Sequence, residues 1–229
     1  MTAPEVYWNW CGPNVICMER FFGVPIDDFA AVRALGGDPE LHMRRSVKVW
    51  MEACLLHGPF HGDVHAGNIW ILDDGRVAYL DFGIMGELTD DWKQVMRDFF
   101  ETSALDNDFT RVARAYKRVG AFPADIGHDD EEIGLRMQMI FGPMFDAGLG
   151  EVPMASLLAE IIRTMGAFSG GAGTPKELQL IIKQLLYFER YSKEFAPDWP
   201  MFRDLYLIRN VFPDAVAVAA AERGVTFPD

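Results

Sequence analysis

Helical spacing of apolar residues dominates the chain after Gly86. Apolar side chains recur there every three or four positions, which is typical of amphipathic helices packed on a core. Thr89, followed by Asp90 and Asp91, indicates an N-cap with acidic residues in the first turn. Thr174-Pro-Lys-Glu177 has the form of a capping box. Three further helices are expected around Phe109, Val112, Ala113 and Tyr116; around Leu157, Leu158, Ile161, Ile162 and Met165; and around Leu178, Ile181, Ile182 and Leu185.

The first part of the chain mixes a short apolar run with helix signals. Residues 15–18, Val-Ile-Cys-Met, predict a buried strand. A short helix is expected over residues 27–35, because two glycines follow it. Asp38-Pro39 supplies an N-cap and a first-turn proline for a long helix, which Gly58-Pro59 stops. Its buried stripe is expected to comprise Val47, Trp50, Met51, Cys54 and Leu55.

Two short β runs, residues 69–72 and 76–80, flank the turn residues Asp73-Asp74-Gly75 and predict a hairpin. Counting back from this turn places Asn68 and Asp81 at the same open end, nearly opposite one another. Facing backbone positions in an antiparallel pair are ~5 Å apart. An amide oxygen and a carboxylate at that spacing suit Mg²⁺, which takes few protein ligands and completes its shell with phosphates and water.

Asp63 precedes Asn68 by five positions, in the loop that leads into the first strand. There it is placed to orient or deprotonate an acceptor hydroxyl. Phosphoryl transfer requires positive charge on the phosphates and a positioned nucleophile, and little else from the protein. The sequence therefore predicts a phosphoryl-transfer site with Asp63 as catalytic residue and Asn68 and Asp81 as metal ligands.

Charge and composition narrow the classes of partner. The formal net charge is −13 over 229 residues, so no nucleic-acid partner is expected and polyphosphate binding would require a metal ion. Three sparse cysteines, Cys11, Cys17 and Cys54, do not form a disulfide framework, and a reduced, cytoplasmic compartment is expected. No transmembrane segment is expected, because no apolar run approaches 18 residues.

The order Asp-x-x-x-x-Asn, strand, turn, strand, Asp-Phe-Gly resembles the catalytic and metal loops of protein kinases. More closely, His61-Gly-Asp-Val-His-Ala-Gly-Asn68 resembles the His-Ala-Asp-Pro-His-Pro-Gly-Asn loop of the UbiB/ADCK family of atypical kinases. Leu80-Asp-Phe-Gly-Ile-Met-Gly86 matches that family's metal loop. Met18-Glu19 resembles its hinge, and the segments Thr174–Leu178 and Ala196–Asp198 resemble its late helices.

This resemblance implies ATP and Mg²⁺ as cofactors and a kinase or ATPase activity linked to isoprenoid quinone synthesis or lipid homeostasis. It implies that Met18 flanks the adenine pocket and that the backbone of Glu19 meets the adenine edge. It also implies a bracing role for His61 beside the metal loop, and a hydrogen-bonding role is expected for His65. A lipid or quinone-pathway partner and a peripheral membrane location follow from the same resemblance.

The expected fold class is mainly α with a small β hairpin insert, a protein-kinase-like C-lobe that lacks most of the N-lobe. Residues 1–14 are expected to be an irregular segment or N-lobe remnant, and residues 15–229 the C-lobe. The family's N-lobe features, a Lys-x-Gly-Gln signature and a Lys–Glu pair among them, have no counterpart before Val15. A natural truncation, an incomplete gene model or a split protein with a separate N-lobe chain would each account for this.

Two other functions stay open. One is a small-molecule phosphotransferase of the aminoglycoside or choline type, which Gly62 fits better than it fits the UbiB pattern. The other is a non-catalytic, truncated pseudokinase that acts as a binding module. The Met- and Phe-rich stretch over residues 137–168 is expected to fill the core, and a lipid or quinone groove is the lesser alternative there.

Overall fold

The fold, taken from a computed structural model, is mainly helical with two small antiparallel sheets. The helices are α1 (Phe29–Ala34), α2 (Pro39–Glu52), α3 (Asp90–Glu101), α4 (Phe109–Arg118), α5 (Asp130–Asp146), α6 (Lys176–Phe195), α7 (Leu205–Val211) and α8 (Pro213–Arg223). The strands are β1 (Gly23–Pro25), β2 (Phe60–His61), β3 (Ile69–Leu72), β4 (Val77–Tyr79) and β5 (Met85–Gly86). The structure describes residues 1–122, 127–148, 150–153, 155–157, 159–160, 163 and 176–224, with backbone alone at residue 178.

The helices before residue 120 begin and end where local sequence signals place them. The Asp38 carboxylate accepts hydrogen bonds from two first-turn amides of α2, and the Thr89 hydroxyl accepts one from Trp92 in α3. A π-helical turn extends α2 to residue 57, and Gly58 then reverses the chain with φ of 124°. The structure confirms these predictions. Capping can be predicted from the sequence because it depends only on neighbouring residues.

The predicted hairpin is confirmed together with its register. Strands β3 and β4 pair so that Ile69 faces Tyr79 and Ile71 faces Val77. The amide of Leu80 donates to the carbonyl of Asn68 at 2.8 Å, which continues the ladder to the open end. Strand β1 adds to the other edge of β3, giving a sheet in the order β1-β3-β4, and β2 pairs separately with β5.

The buried strand expected at residues 15–18 is wrong. Val15 is 61% exposed, Ile16 73% and Met18 49%. The run pairs by single bridges only, Val15 with Gly12 and Met18 with Val6. An apolar run of four residues becomes buried only when a sheet or helix face covers it, and within the described part of the chain this run lies at the edge of the molecule.

The core joins the helices to the strands that carry the predicted site. The predicted stripe on α2 is buried, and its Trp50 packs edge-on against Phe188 of α6 and Phe60 of β2, with ring centroids 5.5 and 6.1 Å apart. Such aromatic contacts are specific in geometry as well as apolar. The start of the catalytic loop thus packs on α2, which packs in turn on α6.

The Met- and Phe-rich stretch contributes core packing, as expected, through Met137, Phe141, Met144 and Phe145. Most of the helix expected at residues 157–165 and the start of the capping box at 174–177 fall outside the described residues. Among the described helices, none is both long and apolar enough to cross a bilayer.

Candidate functional site: two loops and a late helix

Two loops, residues 62–68 and 80–84, are held side by side from both ends. At one end Asn68 and Leu80 close the hairpin. At the other end Phe60 faces Gly86 across the β2–β5 pair, and the Gly62 amide donates to the carbonyl of Ile84 at 2.9 Å. The local pairing therefore brings the predicted catalytic loop and metal loop to one place in the fold.

Gly62 has a packing explanation at this contact. A β-carbon there would lie 3.1 Å from Cγ2 of Ile84 and 3.3 Å from its carbonyl oxygen. The neighbouring metal loop would have to shift to admit it. Gly62 is thus accounted for by loop packing and does not by itself favour a small-molecule phosphotransferase.

His61 connects the two loops through its ring. Its Nδ1 lies 3.1 Å from the Asp63 amide, and its Nε2 lies 2.9 Å from the Leu80 carbonyl oxygen. The amide can only donate and the carbonyl can only accept, so the neutral ring carries its proton on Nε2. The ring also stacks on Tyr79 at a centroid distance of 5.5 Å. The predicted bracing role of His61 is confirmed.

Asn68 and Asp81 have oxygen atoms that suit a magnesium ion. Asn68 is buried, and its Nδ2 donates to the Asp63 carbonyl at 3.0 Å, which leaves Oδ1 as its remaining polar atom. Asp81 is exposed, and its Oδ1 accepts from the Gly83 amide at 3.1 Å, which leaves Oδ2 uncommitted by that bond. One amide oxygen and one carboxylate oxygen fit the usual protein share of a Mg²⁺ shell.

Asp81 adopts a left-handed backbone conformation, with φ of 52°. This region is costly for most residues with a β-carbon, although Asp and Asn enter it more readily than others. The hydrogen bond from the Gly83 amide to the Asp81 carboxylate stabilises the turn. The strained turn and this bond together fix where the carboxylate points.

Asp63 forms an ion pair with Lys183 of α6, whose Nζ donates to Oδ1 at 2.7 Å. This hydrogen bond is the main reason that the pKa of the Asp63 carboxyl lies below its usual range. Lys183 is 120 residues away in sequence, and no local motif connects it with Asp63. The sequence alone did not predict this contact between Lys183 and Asp63.

Helix α6 also forms hydrogen bonds with the backbone of the catalytic loop. The fully buried side chain of Gln184 accepts from the Val64 amide at 3.0 Å and donates to the Gly62 carbonyl at 2.7 Å. The Tyr191 hydroxyl donates to the Val64 carbonyl at 3.0 Å. We call these three hydrogen bonds the α6 clasp. A signal for it existed in the sequence, because Gln184 continues the apolar stripe of Ile181 and Phe188 with a polar residue.

Removing the Tyr191 hydroxyl tests one part of the α6 clasp. Tyr191→Phe should destabilise the protein by about 1–2 kcal/mol, because the buried Val64 carbonyl loses its donor. Tyr187→Phe, the same change one helical turn earlier at a partly exposed residue, should cost less than about 0.5 kcal/mol. Urea unfolding of both variants measures this, and equal costs would contradict it.

Val64 departs from the UbiB-type loop pattern, which has proline there, and the α6 clasp uses the amide that proline lacks. Val64→Pro should therefore destabilise the protein by about 1–3 kcal/mol, although it restores the pattern. Ala66→Pro, which also restores the pattern, should be nearly neutral. Ala66 opens a 3₁₀ turn and follows His65 in an extended conformation, both compatible with proline. Thermal unfolding distinguishes the two, and a neutral Val64→Pro would contradict the role of this amide.

His65 makes a local hydrogen bond, as expected, with its Nδ1 accepting from the Gly67 amide at 3.0 Å. Its Nε2 lies 3.8 Å from Oδ2 of Asp63. Among the described residues, no three His, Cys, Asp or Glu side chains come together as a metal site. The hydrogen bond to the Gly67 amide is thus the role that the structure shows for His65.

Met18 and Glu19 lie outside this group of contacts, in the N-terminal segment. The Glu19 amide donates to the Glu5 carbonyl at 2.8 Å, and the Glu19 carboxylate accepts from the Glu5 amide at 3.2 Å. Adenine could use the Glu19 amide only after the first of these bonds opens. Their assignment to the adenine pocket stays a prediction.

Comparison with known proteins identifies the kind of domain. Residues 1–116, more than half of the chain, match the ABC1 atypical kinase-like domain. An uncharacterized aarF domain-containing chloroplastic protein kinase of Arabidopsis thaliana is 30% identical over 226 residues. An uncharacterized protein of Mycobacterium tuberculosis is 31% identical over 202 residues, and a probable protein kinase UbiB of Providencia stuartii is 30% identical over 205.

These matches cover 88–89% of this chain but only 37–41% of each relative, so the chain spans about two fifths of their length. A solved structure of a Mycobacterium tuberculosis protein in complex with erythromycin superposes with a TM-score of 0.52. It covers 86% of this chain and 52% of that protein, at 18% identity. At this identity the similarity concerns the fold alone.

Proposed function

Because the chain belongs to the ABC1 atypical kinase-like family, which includes the UbiB and aarF kinases, we propose that residues 60–86 form a phosphoryl-transfer site that uses Mg-ATP. The activity would be that of a kinase or an ATPase. One observation supports this most strongly. Hairpin register and the β2–β5 pair hold the two loops that carry Asp63, Asn68 and Asp81 side by side, with His61 linking the two loops.

Each side chain has a separate role in this proposal. Asn68 and Asp81 offer oxygens to Mg²⁺, which would supply the positive charge that a polyphosphate needs beside a chain of net charge −13. Asp63 accepts a hydrogen bond from the acceptor hydroxyl and orients it toward the transferred phosphoryl group. His61 holds the Asp63 amide and the Leu80 carbonyl, so that both loops keep one relative position.

Nucleotide binding at Met18 and Glu19 is part of the same proposal. It requires the Glu5–Glu19 backbone bond to open. A separate N-lobe chain or segment would supply the groups that bind the phosphates on the side of the nucleotide opposite to residues 60–86. The link to isoprenoid quinones or lipids, the corresponding partner and a location peripheral to a membrane rest on the family resemblance alone and are proposed with it. The cytoplasmic compartment is proposed from the three sparse cysteines.

A non-catalytic binding module is the second candidate, and one observation favours it. The Glu19 amide, which would meet adenine, is already bonded to Glu5. A module of this kind would keep the loop geometry around Asp63 without binding nucleotide.

Calorimetric titration of the purified chain with ATP separates the two candidates. With Mg²⁺ present we expect saturable binding, and with EDTA we expect it to be lost, because the site depends on the metal to offset charge repulsion. Adding equimolar ADP instead of ATP serves as the comparison for the terminal phosphate. Absence of binding in the presence of Mg²⁺ would favour the binding module and count against the phosphoryl-transfer site in this chain.

A further inference from the structure

Lys183 is a charged residue that contacts Asp63 but belongs to neither the catalytic loop nor the metal loop. It belongs to α6, a helix that begins about 90 residues after the metal loop ends. Its Nζ donates to Oδ1 of Asp63 at 2.7 Å, while 42% of its side chain stays exposed. The chain has 34 acidic and 21 basic residues. The cation of Lys183 stabilises the ionised form of the Asp63 carboxylate.

The surroundings of Asp63 show what this contact does. Lys183 and Tyr191 face it from α6, and His61 and His65 face it from its own loop. Lys183 donates to Oδ1, whereas Nε2 of His65 lies 3.8 Å from Oδ2, beyond hydrogen-bond distance. One carboxylate oxygen is thus held and the other is left for a hydroxyl donor.

The helix that carries Lys183 is itself fixed to the loop. Gln184, the next residue, bonds the backbone on both sides of Asp63, at Gly62 and Val64. Neighbouring residues of a helix move as one unit, so the α6 clasp also fixes the position of Lys183 relative to Asp63. A side chain supported in this way can hold a reacting group in one geometry, which is where much of the rate in phosphoryl transfer originates.

We propose that Lys183 is a positioning residue, which holds Oδ1 of Asp63 so that Oδ2 faces the acceptor hydroxyl. The late helix is then a third component of the site, beside the catalytic loop and the metal loop. This inference rests on the proposed phosphoryl-transfer function and names a residue that acts through Asp63.

Turnover of Mg-ATP by three variants of the full chain tests it. Lys183→Met should lower kcat at least tenfold and change the KM for Mg-ATP less than twofold, because nucleotide contacts are untouched. Lys183→Arg should recover most of kcat, since a guanidinium also donates to a carboxylate. Lys193→Met, the same change at an exposed residue of the same helix, should leave both constants unchanged. An unchanged kcat in Lys183→Met, or a KM effect alone, would overturn the proposal.

A stability cycle keeps this test separate from that of the function. The Tm shifts of Lys183→Met and Asp63→Asn should be non-additive, with the double variant shifted less than the sum of the two. Additive shifts would overturn the proposal whatever the turnover. If the unmutated chain shows no turnover, the proposed function fails for this chain on its own, and non-additive shifts would still support Lys183 as the residue that holds Asp63.

Discussion

Replacing Gln184 with leucine should lower the stability of this protein by roughly 2–6 kcal/mol. The change leaves the Val64 amide and the Gly62 carbonyl buried without their partner, and each unsatisfied group costs about 1–3 kcal/mol. Leucine fills a similar volume, so packing changes little. For a chain of this length the expected fall in Tm is on the order of 10 °C.

Gln138→Leu is the matched control, because Gln138 is an exposed glutamine on α5. It should change the stability by less than about 0.5 kcal/mol. Circular dichroism melts of both variants give the comparison. If Gln184→Leu melts within about 2 °C of the unmutated chain, the α6 clasp does not hold the catalytic loop.

Gln184→Glu adds a second measurement. A glutamate at this position could accept from the Val64 amide but could not donate to the Gly62 carbonyl, and its charge would be fully buried. It should therefore destabilise the protein despite its similar shape. A stable Gln184→Glu variant would mean that the donor half of the contact contributes little.

Asp81→Asn should weaken Mg²⁺-dependent ATP binding by roughly a hundredfold or more while leaving the fold intact. The substitution removes one carboxylate from a proposed site with two protein ligands. Asparagine tolerates the left-handed conformation at φ of 52° and its side-chain oxygen can still accept from the Gly83 amide. The Tm is therefore expected to stay within about 2 °C.

Asp73→Asn is the control for charge, since it removes one carboxylate from the turn at the opposite end of the same hairpin. It should leave the affinity for Mg-ATP within twofold of that of the unmutated chain. Calorimetric titration of both variants checks this. Equal losses of affinity would show that net charge, and not ligation by Asp81, controls binding.

The parts of the site that the sequence alone predicts are those built by near neighbours. The turn at residues 73–75 sets the hairpin register, and that register places Asn68 and Asp81 at one end. The N-caps at Asp38 and Thr89 likewise depend only on the next three or four residues. Such contacts are encoded locally and are confirmed by the structure.

Contacts between distant segments were not predictable in the same way. Lys183 reaches Asp63 because α6 packs on α2 and lies over the catalytic loop, contacts between segments far apart in the sequence. The burial of residues 15–18 was wrongly predicted for the same reason, since apolar character does not specify what covers a strand. A buried polar residue on a helical stripe, as at Gln184, is the sequence signal that points to such a contact.

We propose that Asn68 and Asp81 share a metal ion at the open end of the hairpin. Paramagnetic Mn²⁺, added with ATP to isotopically labelled protein, tests it directly by NMR line broadening. Amides of residues 67–69 and 80–83 are expected to broaden first, while those of the turn at 73–75, four strand residues or ~13 Å away, stay sharp longer. Broadening that begins instead at another acidic stretch, such as residues 129–132, would contradict it.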